Sequence, residues 1–188
     1  MEELKKFIFK IYPMNNSDWD FFSSKLQQVT LKKHTNLIKI GETENYLSFI
    51  SEGIIRFYIP FEEHDLTFGF LFKNEFVTAY DSFISQNPSQ YQIETLTTTT
   101  LWRISFTDLQ EVYNKTESGN YIGRIMAENM FLIKSKREIS LLNQSAEERY
   151  LNLFEERPKL LKQIPLKYIA SYIGVTPQAL SRIRKRIT

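Results

Sequence analysis

The side chains best suited to chemistry lie in the C-terminal segment IPLKYIASYIGVTPQALSRIRKRIT (164–188), and that chemistry is recognition of a polyanion. On a helix opened by Thr176 and Pro177, the residues Gln178, Ser181, Arg182 and Lys185 share one side. A glutamine can make paired hydrogen bonds to adenine, and an arginine can do so to guanine. Thr176, Arg184, Lys185 and Arg186 are placed to hold phosphates, which supply the sequence-independent part of nucleic-acid affinity. Charge is distributed to match. Of 24 Lys and Arg, seven lie in residues 158–188 with no Asp or Glu, so residues 1–157 carry 17 cations against all 22 acids.

Two short helices around Gly174 must position these groups. Leu166, Ile169, Ala170 and Ile173 form an apolar stripe on the first, and Leu180 and Ile183 face back from the second. Gly174 stands where a tight turn needs a left-handed backbone, Thr176 is a good N-cap, and Pro177 suits the first helical position. Ala170 permits a close helix crossing. The spacing predicts a helix-turn-helix.

Other chemistries find little support. The chain of 188 residues has no cysteine and 2 His, which excludes disulfides, thiolate nucleophiles and cysteine-ligated zinc or iron–sulfur centres. It shows no Ser/His/Asp arrangement, no Gly-rich phosphate loop and no metal-spaced His/Glu pair, so no enzyme, metal site or cofactor is expected. Glu62-Glu63-His64-Asp65 is the densest polar cluster and reads as a solvated turn. Aromatic residues at 14% exclude wholesale disorder. No apolar stretch reaches the ~20 residues of a membrane span, and MEELKKFIFKIY reads as a short amphipathic helix, so a cytoplasmic protein with no membrane partner is expected.

Periodicity changes along the chain. Residues 14–33 predict a helix capped by Ser17, with Trp19, Phe22, Leu26 and Val29 as its buried stripe. From about 35 to 106 the segments TNLIKI, YLSFIS, IIRFYIP, LTFGFLF, QYQIETL and TLWRISF alternate with turns, which predicts an antiparallel β-roll or jelly roll. Thr107 and Gln110 suggest a capping box for a short helix, and Ser145 with Glu148 suggests a second for a helix through about Glu156. Between them, a long helix at about 119–143 carries Ile122, Ile125, Asn129, Leu132, Lys136 and Ile139 as a heptad-like seam for a second copy of the chain. Met126, Phe131 and Ile133 are expected to face the roll. The fold class is therefore α+β, with a β-roll and N-terminal helices in 1–117, a dimerisation helix in 118–144 and a helix-turn-helix in 145–188.

This arrangement resembles the Crp/Fnr (catabolite activator) family of bacterial transcription regulators. The resemblance runs from about Leu26 onward. It is carried by Gly41-Glu42, Tyr46 to Ile50 and Ser51-Glu52-Gly53, and by Phe76 to Phe83 in the place of the family's phosphate-binding cassette. The segments SAEERYLNLFEERP and IPLKYIASYIGVTPQALSRIRK match the form of Bacteroidetes-type members. The resemblance implies a cytoplasmic homodimer that senses a small ligand in the roll and reorients two DNA-reading helices. It also implies that cyclic-nucleotide-binding members carry a Gly-Glu pair and an Arg-Ser or Arg-Thr pair in the cassette. Here those places fall at Thr78-Ala79 and about Ser89-Gln90, and no Lys or Arg stands between Lys73 and Arg103. Tight cyclic AMP binding is therefore not expected, since a buried phosphate without a cation is costly. A pocket lined by Thr78, Tyr80, Ser89, Gln90, Leu132 and Ile133 would suit a neutral effector. The sequence ends at Thr188, where the family's β-hairpin wing would follow, so a truncated reader is expected. The leading reading is a homodimeric DNA-binding transcription regulator of this type, with an effector that is unidentified and not cyclic AMP. The alternative is a ligand-binding or structural β-roll dimer that has lost DNA binding.

Overall fold

The computed structural model describes residues 1–62 and 64–187. Glu63, within the polar cluster read as a solvated turn, and Thr188 lie outside the described residues. Among the described residues the strands form two four-stranded sheets, ordered β1-β8-β3-β6 and β2-β7-β4-β5. Their ranges are β1 Gln27–Leu31, β2 Asn36–Ile38, β3 Tyr46–Glu52, β4 Ile55–Ile59, β5 Leu66–Leu71, β6 Phe76–Val77, β7 Gln92–Thr95 and β8 Thr99–Ser105. The helices are α1 Glu2–Ile11, α2 Asn16–Ser24, α3 Tyr80–Ser85, α4 Phe106–Lys115, α5 Gly119–Asn143, α6 Ala146–Glu156, α7 Pro158–Gln163, α8 Leu166–Tyr172 and α9 Pro177–Ile187. The architecture is an antiparallel β-roll with helices, as the alternation of residues 35–106 predicts.

Several local expectations are corrected. The helix expected over 14–33 ends at Ser24 and its cap is Asn15, whose side chain accepts from the Asp18 N–H at 2.8 Å, rather than Ser17. Residues 27–31 are instead β1, in register with β8 from Gln27↔Arg103 to Leu31↔Thr99. The pattern QQVTL alternates exposed and half-buried positions, and an edge strand with one wetted face produces that alternation. Ser105, not Thr107, caps α4 by accepting from the Asp108 N–H at 3.0 Å, because the extended end of β8 leaves Ser105 with cap geometry. The Ser145/Glu148 capping box forms as expected.

The chain divides into two compact units, Met1–Phe57 with Leu71–Asn129, and Tyr58–Phe70 with Met130–Thr188. The observed division falls inside α5, between the boundaries at 117 and 144 that the sequence suggests. In the first unit, α1, α2 and α4 cover the β1-β8-β3-β6 sheet through Leu4, Ile8, Trp19, Phe22, Phe49 and Ile104. Ile122 joins this core with 6% exposure, so the first turn of α5 is internal and Ile122 does not serve a seam with a partner. Met126 packs against the same core. Phe131 and Ile133, expected to face the roll, are 71% and 69% exposed. The interior face of α5 is spent by its first two turns, through Ile122 and Met126.

Gly53 sits in a turn of the roll where a side chain does not fit. It holds φ +113, and a Cβ there would come within 2.3 Å of Thr99 Oγ1. Buried charge also fixes this unit. Arg56, 1% exposed, meets Glu94 with Nε 2.8 Å from Oε1. Removing one member of such a pair strands the other charge away from water. Arg56→Ala is expected to lower unfolding stability by about 3–5 kcal/mol, read as a fall in the denaturant midpoint at constant slope.

Candidate nucleic-acid interface and roll cassette

In the second unit, α8 and α9 are joined by Ile173 to Thr176. Gly174 takes φ +79, and the Val175 N–H reaches back to the Ala170 carbonyl at 3.0 Å, closing the turn. Ile169, Ala170 and Ile173 are fully buried, and Leu180 and Ile183 are 1% and 5% exposed, so both helices share one small core. Leu166 departs from its expected place on the stripe, being 46% exposed at the first position of α8. The Thr176 hydroxyl accepts from the Ala179 N–H at 3.2 Å and caps α9.

The buried side of α9 fixes what the other side shows. Gln178, Ser181, Arg182, Arg184, Lys185 and Arg186 are all exposed, and Thr176 is exposed at the turn. Among the described residues no carboxylate pairs with Arg182 or Lys185. Arg186 is engaged, donating from Nη2 to Glu147 Oε2 at 2.8 Å. The last turn of α9 is basic and its first turn carries no acid. The result is a cationic ridge with a hydrogen-bonding amide and hydroxyl along it.

The seam residues of α5 fall into two classes. Ile125 is half-buried, whereas Asn129, Leu132 and Ile139 are exposed, the last two at 63% and 55%. Leu142 at 80% extends the same open stretch.

The cassette has a different character. Thr78 and Ser89 are buried, Tyr80 is half-buried and Gln90 is exposed. Leu132 and Ile133, in the second unit, are exposed on α5. What the sequence reading missed is Glu44. Its carboxylate accepts from the Tyr46 N–H at 3.0 Å and from the Ala79 N–H at 3.3 Å, at the start of α3. Its own N–H donates to Ser82 Oγ at 3.0 Å, and Gln86 Nε2 donates to its carbonyl at 3.3 Å. Burial raises the Glu44 pKa above the usual carboxylate range, opposed by those backbone donors and by Arg103. Nothing in the turn sequence GETEN distinguishes Glu44 from its neighbour Glu42. Arg56 was also missed, although a charge inside the apolar run IIRFYI is a visible signal. Tyr91 donates to Asp81 Oδ1 at 2.5 Å, and burial raises its pKa.

Residues 28–116 match the cyclic nucleotide-binding domain family. No curated protein sequence matches the chain. Solved structures share its fold at low identity. The regulator CLP of Xanthomonas campestris, described as c-di-GMP responsive, is similar with a TM-score of 0.71 at 16% identity, over 92% of this chain and 91% of that one. FixK2 of Bradyrhizobium japonicum is similar with a TM-score of 0.73 at 14% identity, over 86% and 84%. The catabolite activator protein of Thermus thermophilus gives 0.58 at 16%, over 94% and 85%. The match to the cyclic nucleotide-binding domain family thus covers residues 28–116 of a chain that shares its fold with these solved structures. Among the described residues no helix is long and apolar enough to cross a membrane.

Proposed function

We propose that this chain is a DNA-binding transcription regulator of the Crp/Fnr type that acts as a homodimer. One observation supports the reading most: α9 buries Leu180 and Ile183 while Gln178, Arg182 and Lys185 stand exposed on its other side. A helix so mounted fits a major groove, where Gln178 and Arg182 meet base edges and Lys185, Arg184 and Thr176 meet phosphates. Arg186 exchanges Glu147 for a phosphate in the complex. Two copies related by a two-fold axis read half-sites ~34 Å apart, and the exposed stretch of α5 from Leu132 to Leu142 is the surface that pairs them.

The effector is not a cyclic nucleotide. A phosphate entering the cassette meets the Glu44 carboxylate already on the Ala79 N–H, and Arg56 is occupied by Glu94. Like charge at that distance opposes an anion rather than recruiting it. Isothermal titration with cyclic AMP or cyclic GMP is expected to show no saturable heat up to ~1 mM, and micromolar affinity for either would overturn this part of the reading. A neutral effector at Thr78, Tyr80, Ser89 and Gln90 remains compatible with the neutral character of those groups.

DNA binding itself is tested by a mobility-shift titration of wild-type chain against Arg182→Ala with Lys185→Ala. Retention of full affinity by the double variant would point to a roll dimer that does not read DNA through α9.

A further inference from the structure

The end of α8, which delivers the chain into the turn before α9, is tied to other elements through consecutive residues. Ser171 and Tyr172 end this helix and Ile173 is its C-cap. The half-buried Ser171 accepts the Thr67 N–H on Oγ at 2.7 Å and donates from Oγ to the Asp65 carbonyl at 2.7 Å. One hydroxyl thus serves as acceptor and donor to two backbone groups of the hairpin between β4 and β5. Tyr172, 7% exposed, sets its ring 5.5 Å from that of Phe70 on β5, centroid to centroid, and its carbonyl accepts from Arg137 of α5. The Ile173 carbonyl accepts from Arg149 Nε of α6 at 2.9 Å. All of these residues lie in the second unit.

The two kinds of contact do different work. The apolar core of Ile169, Ala170, Ile173, Leu180 and Ile183 holds α8 and α9 together, but hydrophobic burial has no direction. A hydrogen bond fixes both a distance and an angle. Arg137 and Arg149 orient the end of α8 against α5 and α6, and Ser171 orients it against β5, an edge strand whose outer backbone groups have no ladder partner. Small changes in this orientation matter at α9. Its 11 residues span about 16 Å. A tilt of about 10° therefore carries its far end ~3 Å, close to the ~3.4 Å rise of one base pair. The seat on the hairpin is also incomplete. Thr67 is 1% exposed and its Oγ1 has no hydrogen-bond partner, which favours leaving the seat for water.

We propose that Ser171 is a positioning residue for DNA reading: by bonding the β4–β5 hairpin it sets the tilt of α9, and with it the half-site spacing that the dimer accepts. The proposal rests on the DNA-reading homodimer put forward above. Ser171 acts through α9, since its hydroxyl is spent on the hairpin.

The test has a DNA arm and a DNA-free arm, both on the full chain. Duplexes selected by the wild-type chain from a random-sequence pool are rebuilt with one or two base pairs inserted or deleted between the half-sites. Their affinities are compared for wild type, Ser171→Ala and Thr67→Val. Ser171→Ala is expected to lose about tenfold on the selected spacing and to stay within about twofold of wild type on the altered ones. Its salt slope stays unchanged, because no phosphate contact is removed. Thr67→Val removes the unpaired hydroxyl and keeps the N–H, so it is expected to steepen the penalty for altered spacing. In the second arm, the Thr67 amide is expected to be protected from hydrogen exchange in the wild-type chain and to exchange about tenfold faster in Ser171→Ala. A Ser171→Ala profile parallel to wild type, at equal affinity or lowered alike at every spacing, overturns the positioning role and leaves Ser171 a packing residue. So does a Thr67 amide unprotected in the wild-type chain, or a profile that flattens in Thr67→Val. A wild-type chain that binds no duplex overturns the DNA-reading function and this role with it, an outcome distinct from a spacing preference that Ser171→Ala retains.

Discussion

Leu132→Glu combined with Ile139→Glu is expected to turn a dimer into a monomer of 22.3 kDa and to remove tight DNA binding. Both residues are more than half exposed on α5, with Phe131 and Leu142 beside them at 71% and 80%. Fully burying a Leu or Ile side chain contributes about 1.5–3 kcal/mol, and a two-fold interface counts each residue twice. Replacing two such residues per chain with carboxylates removes that burial and sets like charges against one another across the axis. Dissociation then also removes the linkage between the two reading helices, which is worth on the order of 10²–10⁴-fold in affinity. Light scattering with size exclusion at tens of micromolar reads the first effect, and a DNA titration reads the second. A wild-type chain that already elutes as a monomer at this concentration would contradict the assignment of the α5 face. Since neither residue belongs to the buried core, the thermal unfolding of the variant reports whether its fold is intact.

The second large effect is expected from Arg182→Ala with Lys185→Ala. Both side chains are exposed on α9, opposite the buried Leu180 and Ile183, so their truncation leaves the helical pair intact. A bidentate arginine contact to a guanine is worth about 1–3 kcal/mol, and a dimer makes it twice. The loss on a specific site is therefore on the order of 10²–10⁴-fold. The two losses have different signatures. Removing Lys185 lowers the slope of log affinity against log salt by about one per chain, whereas removing Arg182 flattens discrimination between sites. A variant with unchanged slope and unchanged site preference would show that α9 does not lie in the groove.

Much of this architecture is legible in the residues, for a physical reason. The helix pair around Gly174 announces itself because each of its positions answers a separate local requirement: a left-handed turn, a capping hydroxyl, a small residue at a crossing. The strands of the roll are visible through alternation and turn composition, although β1 is not. QQVTL follows a capped helix with only one turn residue pair between them, and the helical period carried past its true end at Ser24. Long-range facts are the ones that local pattern hides. Ile122 is core because α1, α2 and α4 reach it, whereas Phe131 is 71% exposed; both read alike as apolar residues on one helix. Glu44 is decisive for the cassette through a hydrogen bond to a residue 35 positions away. Arg137 of α5 and Arg157, the residue after α6, likewise come from far apart along the chain onto the ring of Tyr172.

The meeting of α9 with a duplex is open to test on the wild-type chain, without any variant. Fluorescence anisotropy of a labelled random-sequence duplex, titrated with the chain from 50 to 200 mM salt, measures the electrostatic part of binding alone. The predicted result is saturable binding whose logarithmic affinity falls linearly and steeply with the logarithm of salt, with a slope reporting several phosphates per dimer. Anisotropy that stays flat at the lowest salt with tens of micromolar protein would contradict it.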